Sequence, residues 1–293
     1  MPVPVPVPVP GSRSGTDADE GEGLRYSRAM SQAASPIAVV TGASSGIGAA
    51  TARALAAGGW RVVLVARRAD RLEALADELS ATGGEARPEP LDAADGTAVD
   101  AMADRVRAAW GEPELVVNSA GAGLWRFLEE TTAEQVDTMI GAPYLAAAHT
   151  SRAFLGAMIA AGRGLLVHVG SPASVIPWPG AATYTASRWA LRGLHEALIQ
   201  DLRGTGVASS LVYFGEVSSA YFEANPGSQE HIPRLGRWIP VTTPERCAEV
   251  ILRVVRHPRR VAYHPVALRL MAWTAAVAPG PVRWLIARTG RRH

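Results

Sequence analysis

No lysine occurs in the 293 residues, and all 29 basic side chains of the lysine–arginine class are arginine. A mechanism that depends on a lysine amine is therefore closed to this chain. The same bias is what a GC-rich genome encodes. Cysteine is nearly as scarce. Cys247 stands alone, which excludes an internal disulfide and a cysteine-built zinc site, and no metal is expected. No run of about 20 uninterrupted apolar residues exists, so no ordinary membrane span is expected. The start of the chain lacks the charged-then-apolar order of a secretory signal, so the expected location is cytoplasmic, with peripheral membrane attachment left open. The formal net charge is only +2, which makes no case for nucleic acid. Basic residues crowd together only at the end, at Arg283, Arg288, Arg291 and Arg292.

What is present is apolar and periodic. Hydrophobic residues make up 48% and charged residues 19%, a composition that folds. The length suits one large α/β domain or two small ones. Residues 1–35 are the exception. Prolines from Pro2 to Pro10 alternate with valine, and a polar Gly/Ser/Asp/Glu stretch follows, so this segment reads as a disordered, dispensable tail. From Ile37 onward, short β-branched strands alternate with helical patterns. Strands are expected at 37–41, 61–66, 86–91, 115–118, 165–170, 207–213 and near 260–263. Helices are expected at 47–57, 70–80, 96–110, 132–161, 183–203 and 244–256. Lone Cys247 falls in the last of these, as a small core residue. Such alternation predicts a Rossmann-type, doubly wound parallel sheet with helices on both faces and its ligand at the carboxyl ends of the strands.

The first strand runs into Thr41-Gly42-Ala43-Ser44-Ser45-Gly46-Ile47-Gly48 and then a helix. In this strand–turn–helix setting, Gly42 permits a tight turn, Gly46 a close backbone approach to a pyrophosphate, and Gly48 close helix–strand packing. The free N–H groups and the helix dipole favour phosphate.

Together with three further features, this spacing resembles the short-chain dehydrogenase/reductase family from about residue 36 onward. The fourth strand ends Asn118-Ser119-Ala120-Gly121, similar to the family's Asn-Asn-Ala-Gly. Ser171 and Tyr184 lie 13 apart, as the family's serine and tyrosine do. A mild departure follows the sixth strand, where Gly215 and Ser219 match the family's segment and Phe214 does not match its proline. The resemblance implies a nicotinamide dinucleotide held by Thr41, Gly42, Ser44, Ser45, Gly46, Ile47, Gly48, Asp92, Asn118, Ala120, Gly121, Tyr184, Arg188, Gly215, Val217 and Ser219. Asp92 would serve equally as a loop or helix cap. The second strand ends Ala66-Arg67-Arg68. An acidic residue there would repel a 2′-phosphate, whereas Arg67 and Arg68 can pair with one, so NADP(H) is expected over NAD(H) unless both are only solvated surface charges.

The resemblance further implies Tyr184 as acid/base, Ser171 as hydrogen-bond donor to the substrate oxygen, and a cation beside the tyrosine. Here the sequence departs from the family. The lysine expected four residues after the tyrosine is Arg188, which holds a charge but cannot relay a proton. The helical asparagine thought to hold a water in the family's proton path aligns with Pro143, and Gly141 and Pro143 should break or kink the 132–161 helix. Two functions therefore stay open: an active oxidoreductase, or a nucleotide-binding sensor or scaffold with little catalysis.

Domain boundaries follow: the tail at 1–35, the NADP-binding domain at 36–263 with a helical lid at about 216–240, and an apolar, basic helical extension at 264–293. Tyr221, Phe222 and Trp238 in the lid, with Trp125 and Trp178, suggest a small lipophilic carbonyl or alcohol as substrate, unless they are core or interface residues. The extension, with Trp273 and Trp284 beside arginines, is compatible with membrane-surface contact, with packing over the substrate mouth, or with a second subunit. A homo-oligomer is expected.

Overall fold

The computed structural model describes residues 35–219, 221, 223, 225–232, 236 and 239–289; the tail assigned to 1–35, apart from Ser35, and Phe222 and Trp238 lie outside them. Seven parallel strands form one sheet in the order β3-β2-β1-β4-β5-β6-β7. They are β1 (Ile37–Thr41), β2 (Arg61–Ala66), β3 (Glu85–Pro90), β4 (Leu115–Asn118), β5 (Gly164–Gly170), β6 (Val207–Phe214) and β7 (Val261–His264). β1 is buried along its whole length, which its unbroken apolar run requires of a strand covered on both faces. β3 carries Pro88 and Pro90, and it lies at the sheet edge, where a missing N–H costs least. Its buried Glu89 is held by Arg87 at 2.7 Å and Arg105 at 2.6 Å.

The two-residue alternation divides the core. Ala38, Val40, Val62, Leu64, Leu115 and Val117 face one apolar cluster with α1 (Gly46–Ala57), α2 (Ala69–Ala81) and α7 (Pro244–Arg256). Ile37, Val39, Val63, Val65, Val116 and Leu166 face the other, with α3 (Gly96–Trp110), α5 (Ala146–Ala161) and α6 (Ala182–Asp201). Helix starts follow local chemistry. Asp95 accepts from the Thr97 and Ala98 amides at 2.9 and 3.1 Å, and Thr132 and Gln135 form a capping box at α4 (Ala133–Ile140). Thr243 caps α7 with Pro244 in its first turn. Cys247 is buried within α7, where burial pushes its thiol up to about 12.

The 132–161 helix is interrupted at Gly141 and Pro143, where the residue types predict a break or kink. α4 passes into a π-helical turn over Gly141–Leu145 and then into α5. The widened turn accommodates the N–H that Pro143 lacks.

After β7, two short helices, α8 (Val266–Val277) and α9 (Pro279–Thr289), return along the carboxyl edge of the sheet. No helix among the described residues is long and apolar enough to cross a membrane.

Candidate active site

The glycine loop is pinned by contacts between two strand ends. Thr41 Oγ1 accepts from the amides of Ser119 and Ala120, both at 3.1 Å, and draws the loop after β4 against the end of β1. Gly42 sits at φ +70°, and a Cβ there would fall 2.8 Å from the Ser119 carbonyl oxygen. A Cβ on Gly48 would lie 2.2 Å from the Gly42 oxygen, so α1 can start this close to β1 only with glycine.

A cavity of about 810 Å³ runs along the carboxyl ends of the strands. Of the sequence-predicted residues, Gly42, Ser44, Ser45, Gly46, Ile47, Arg67, Arg68, Asp92, Ala120, Gly121, Ser171, Tyr184, Arg188, Gly215, Val217 and Ser219 line it. Thr41, Gly48 and Asn118 do not; they stand behind the wall. The Asn118 amide donates to Ser151 Oγ at 3.0 Å and contacts His168 Nδ1 at 3.2 Å, so its buried side chain ties β4 to α5 and β5. Asp92 does part of what a turn residue does: its carboxylate accepts from the Ala94 amide at 2.9 Å.

At one end the cavity has the features of a nucleotide site. Ser45 precedes α1 without capping its amides; its hydroxyl instead accepts from Arg68 at 3.0 Å, as the Ser44 hydroxyl does at 2.9 Å. A Cβ on Gly46 would project beside Ser219 at 3.7 Å. Arg67 forms no ion pair among the described residues, and the adjacent Ala66 leaves no carboxylate to compete. The residues present thus fit a dinucleotide.

The other end is aromatic. Tyr184, in the first turn of α6, is buried against Trp125, with ring centres 5.4 Å apart, and Trp178, at 6.4 Å. One turn later, Arg188 places its guanidinium carbon 5.0 Å from the centre of the Tyr184 ring. Its NH1 donates to the Val169 carbonyl at 3.1 Å, while its buried Nε has no hydrogen-bond partner among the described residues. Ser171 ends β5 and caps the next short helix through the Ala173 amide at 3.3 Å. This set can polarise a carbonyl oxygen and exchange a proton with it beside a fixed cation.

Sequence reading alone did not find how this end is closed. Gly123 N donates to Asn225 Oδ1 at 3.3 Å, Trp125 N to Ser228 Oγ at 3.0 Å, and Ser228 Oγ to the Gly123 carbonyl at 3.0 Å. These bonds join the loop after β4 to the lid across about a hundred residues, and no local pattern encodes them. They bring Tyr221 down so tightly that a Cβ on Gly123 would lie 1.6 Å from its hydroxyl. Burial holds the Tyr221 hydroxyl well above the usual phenol range, and the neighbouring Tyr184 pushes the same way. Met271 from α8 and Ile286 from α9 complete the lining, so the extension does pack over the mouth.

The short chain dehydrogenase family profile matches residues 36–229. A short chain dehydrogenase of Pseudocercospora fijiensis is 34% identical over 209 residues, covering 69% of this chain and 62% of that protein. An uncharacterized oxidoreductase of Myxococcus xanthus is 39% identical over 199 residues, 67% of this chain and 78% of the other. Among solved structures, a metagenomic short-chain oxidoreductase in complex with NADP superposes with a TM-score of 0.65 at 35% identity, over 78% of this chain and 95% of that one. Other similar structures hold NADPH or NAD.

Proposed function

Because the chain belongs to the short-chain dehydrogenase/reductase family, with its fold and oxidoreductase character, we propose that it interconverts a lipophilic carbonyl and its alcohol with NADP(H), using Tyr184 as the acid/base. The observation that carries this reading is the stacking of Arg188 on Tyr184 inside a cavity continuous with the glycine loop.

When bound, the dinucleotide supplies or accepts the hydride. This chain's own residues supply the rest. The α1 amides and Gly46 receive the phosphates, and Arg67 is the free fork for a 2′-phosphate. The Arg188 guanidinium, anchored through NH1 on the Val169 carbonyl, offers its remaining N–H groups to the ribose. Ser171 holds the substrate oxygen, and Tyr184 gives or takes its proton. Arg188 stabilises the charge on that oxygen electrostatically and does not exchange protons. Pro143 offers no side-chain partner for a water, so the proton of Tyr184 travels through the ribose hydroxyl or directly to solvent. Trp125, Trp178 and Tyr221 make the substrate end apolar.

A second reading, cofactor binding with little turnover, draws on the same two departures, Arg188 and Pro143. The test is to follow nicotinamide absorbance with NADPH and a panel of apolar aldehydes and ketones. Turnover that disappears in Tyr184→Phe supports the proposal. Tight NADPH binding without turnover on any member of the panel supports the second reading.

A further inference from the structure

We propose that the outward face of the α8–α9 hairpin docks on an anionic bilayer surface, with the mouth of the cavity beside the lipid. α8 is apolar on two faces. Leu268 is buried and Met271 lines the cavity, as does Ile286 of α9. On the opposite side Val266, Leu270, Trp273 and Val277, at steps of four, three and four, form one helical stripe. These four side chains are between 61% and 75% exposed, and Trp284 of α9 is 58% exposed. A soluble surface rarely leaves so many large apolar groups together.

Charge selects the occupant. Glu249 is the last acidic residue of the sequence; from residue 250 to the end there are nine arginines and no carboxylate side chain. Arg269, Arg283 and Arg288 lie on the hairpin itself, exposed and without ion pairs among the described residues. Arg288 stands 4.8 Å over the Trp284 ring, an aromatic–cation pair. A second copy packed about a two-fold axis would set arginine against arginine with no acid to answer it. An anionic headgroup layer answers every one of these charges, and tryptophan suits the boundary between headgroup and acyl chain. Helices of 12 and 11 residues reach only about 16–18 Å, too short to cross a hydrocarbon core of about 30 Å, so the hairpin lies on the surface.

The two helices whose outer faces meet lipid also present Met271 and Ile286 to the cavity. Docking therefore places the substrate entrance where a lipophilic carbonyl would be dissolved; this last step rests on the proposed function.

The test uses the full chain and vesicles of phosphatidylcholine, with or without about a third phosphatidylglycerol. Sedimentation at low salt should show binding to the anionic vesicles at least about tenfold tighter than to the neutral ones, and weakening with salt. Brominated phosphatidylcholine in the anionic vesicles should quench tryptophan fluorescence. The double substitution Leu270→Glu, Trp273→Glu should abolish vesicle binding and quenching while NADPH affinity and circular dichroism stay native, since neither side chain lines the cavity. No binding to anionic vesicles at low salt, or native binding by the double variant, overturns the proposal. A dimer that the double substitution splits, without vesicle binding by the native chain, overturns it in favour of a second copy. Vesicle binding without NADPH binding would leave the docking intact and sink the cofactor reading instead.

Discussion

Arg188, one helical turn beyond Tyr184, places its guanidinium carbon over the phenol ring, 5.0 Å from its centre. Gly121 makes room for this, because a Cβ there would sit 2.8 Å from Arg188 NH2. Tyr184→Phe should lower turnover by about 100- to 10,000-fold while leaving NADPH affinity nearly unchanged. Arg188→Lys should retain activity, and Arg188→Ala should weaken both binding and turnover. Gly121→Ala, which touches neither reacting group directly, should weaken NADPH binding by displacing the guanidinium. Titration calorimetry and single-turnover rates check each case; full turnover in Tyr184→Phe would remove it from the acid/base role.

The two arginines after β2 should differ in effect. Arg68 is engaged with the Ser44 and Ser45 hydroxyls, whereas Arg67 has no ion-pair partner among the described residues. A charge-assisted bond is worth about 1.5–3 kcal/mol, so Arg67→Ala should cost roughly 10- to 100-fold in NADPH affinity and little in NADH affinity. Arg68→Ala should loosen the loop and weaken both cofactors. Equal dissociation constants for NADPH and NADH in the native protein would refute the preference.

Gly123→Ala should open the lid. Its new methyl group would occupy the place of the Tyr221 hydroxyl, and the Asn225 and Ser228 bonds depend on the same approach. Limited proteolysis within residues 221–231 should accelerate, and acrylamide should quench Trp125 and Trp178 more readily. An unchanged cleavage rate would mean that Tyr221 does not hold the lid.

Stability should fall on acidification below pH 6.5. Burial lowers His168 to about 3, helped by nearby His195, and burial lowers His195 to about 4. Between these values and 6.5 the unfolded chain binds protons that the folded chain refuses, so lowering the pH favours unfolding. The loss should be on the order of a few kcal/mol and should level off below about pH 3. Urea midpoints measured across this range for the native chain and for His168→Leu would show it; identical pH dependence in both would remove His168 as the cause.

The interruption expected at Gly141 and Pro143 takes the form of a π-helical turn, which leaves an unbonded position that proline can fill. Asn118 reads as a cofactor residue by the resemblance of Asn118-Ser119-Ala120-Gly121 to the family's segment. Its neighbours Ser151 and His168 come from elements 33 and 50 residues away, and they decide that its side chain points behind the wall.

The strand–helix alternation and the glycine loop are legible in the chain alone, because they depend on contacts within a few residues or on the two periodicities of strand and helix; Ser171, Tyr184 and Arg188 stand out only through the family resemblance. The closure of Tyr221 on Gly123, the place of Met271 and Ile286 over the cavity, and the exposed face of α8 emerge from the folded chain. Those depend on elements far apart in the chain meeting at one sheet edge. An apolar helix such as Val266–Val277 carries no local mark of which of its two apolar sides will find a partner.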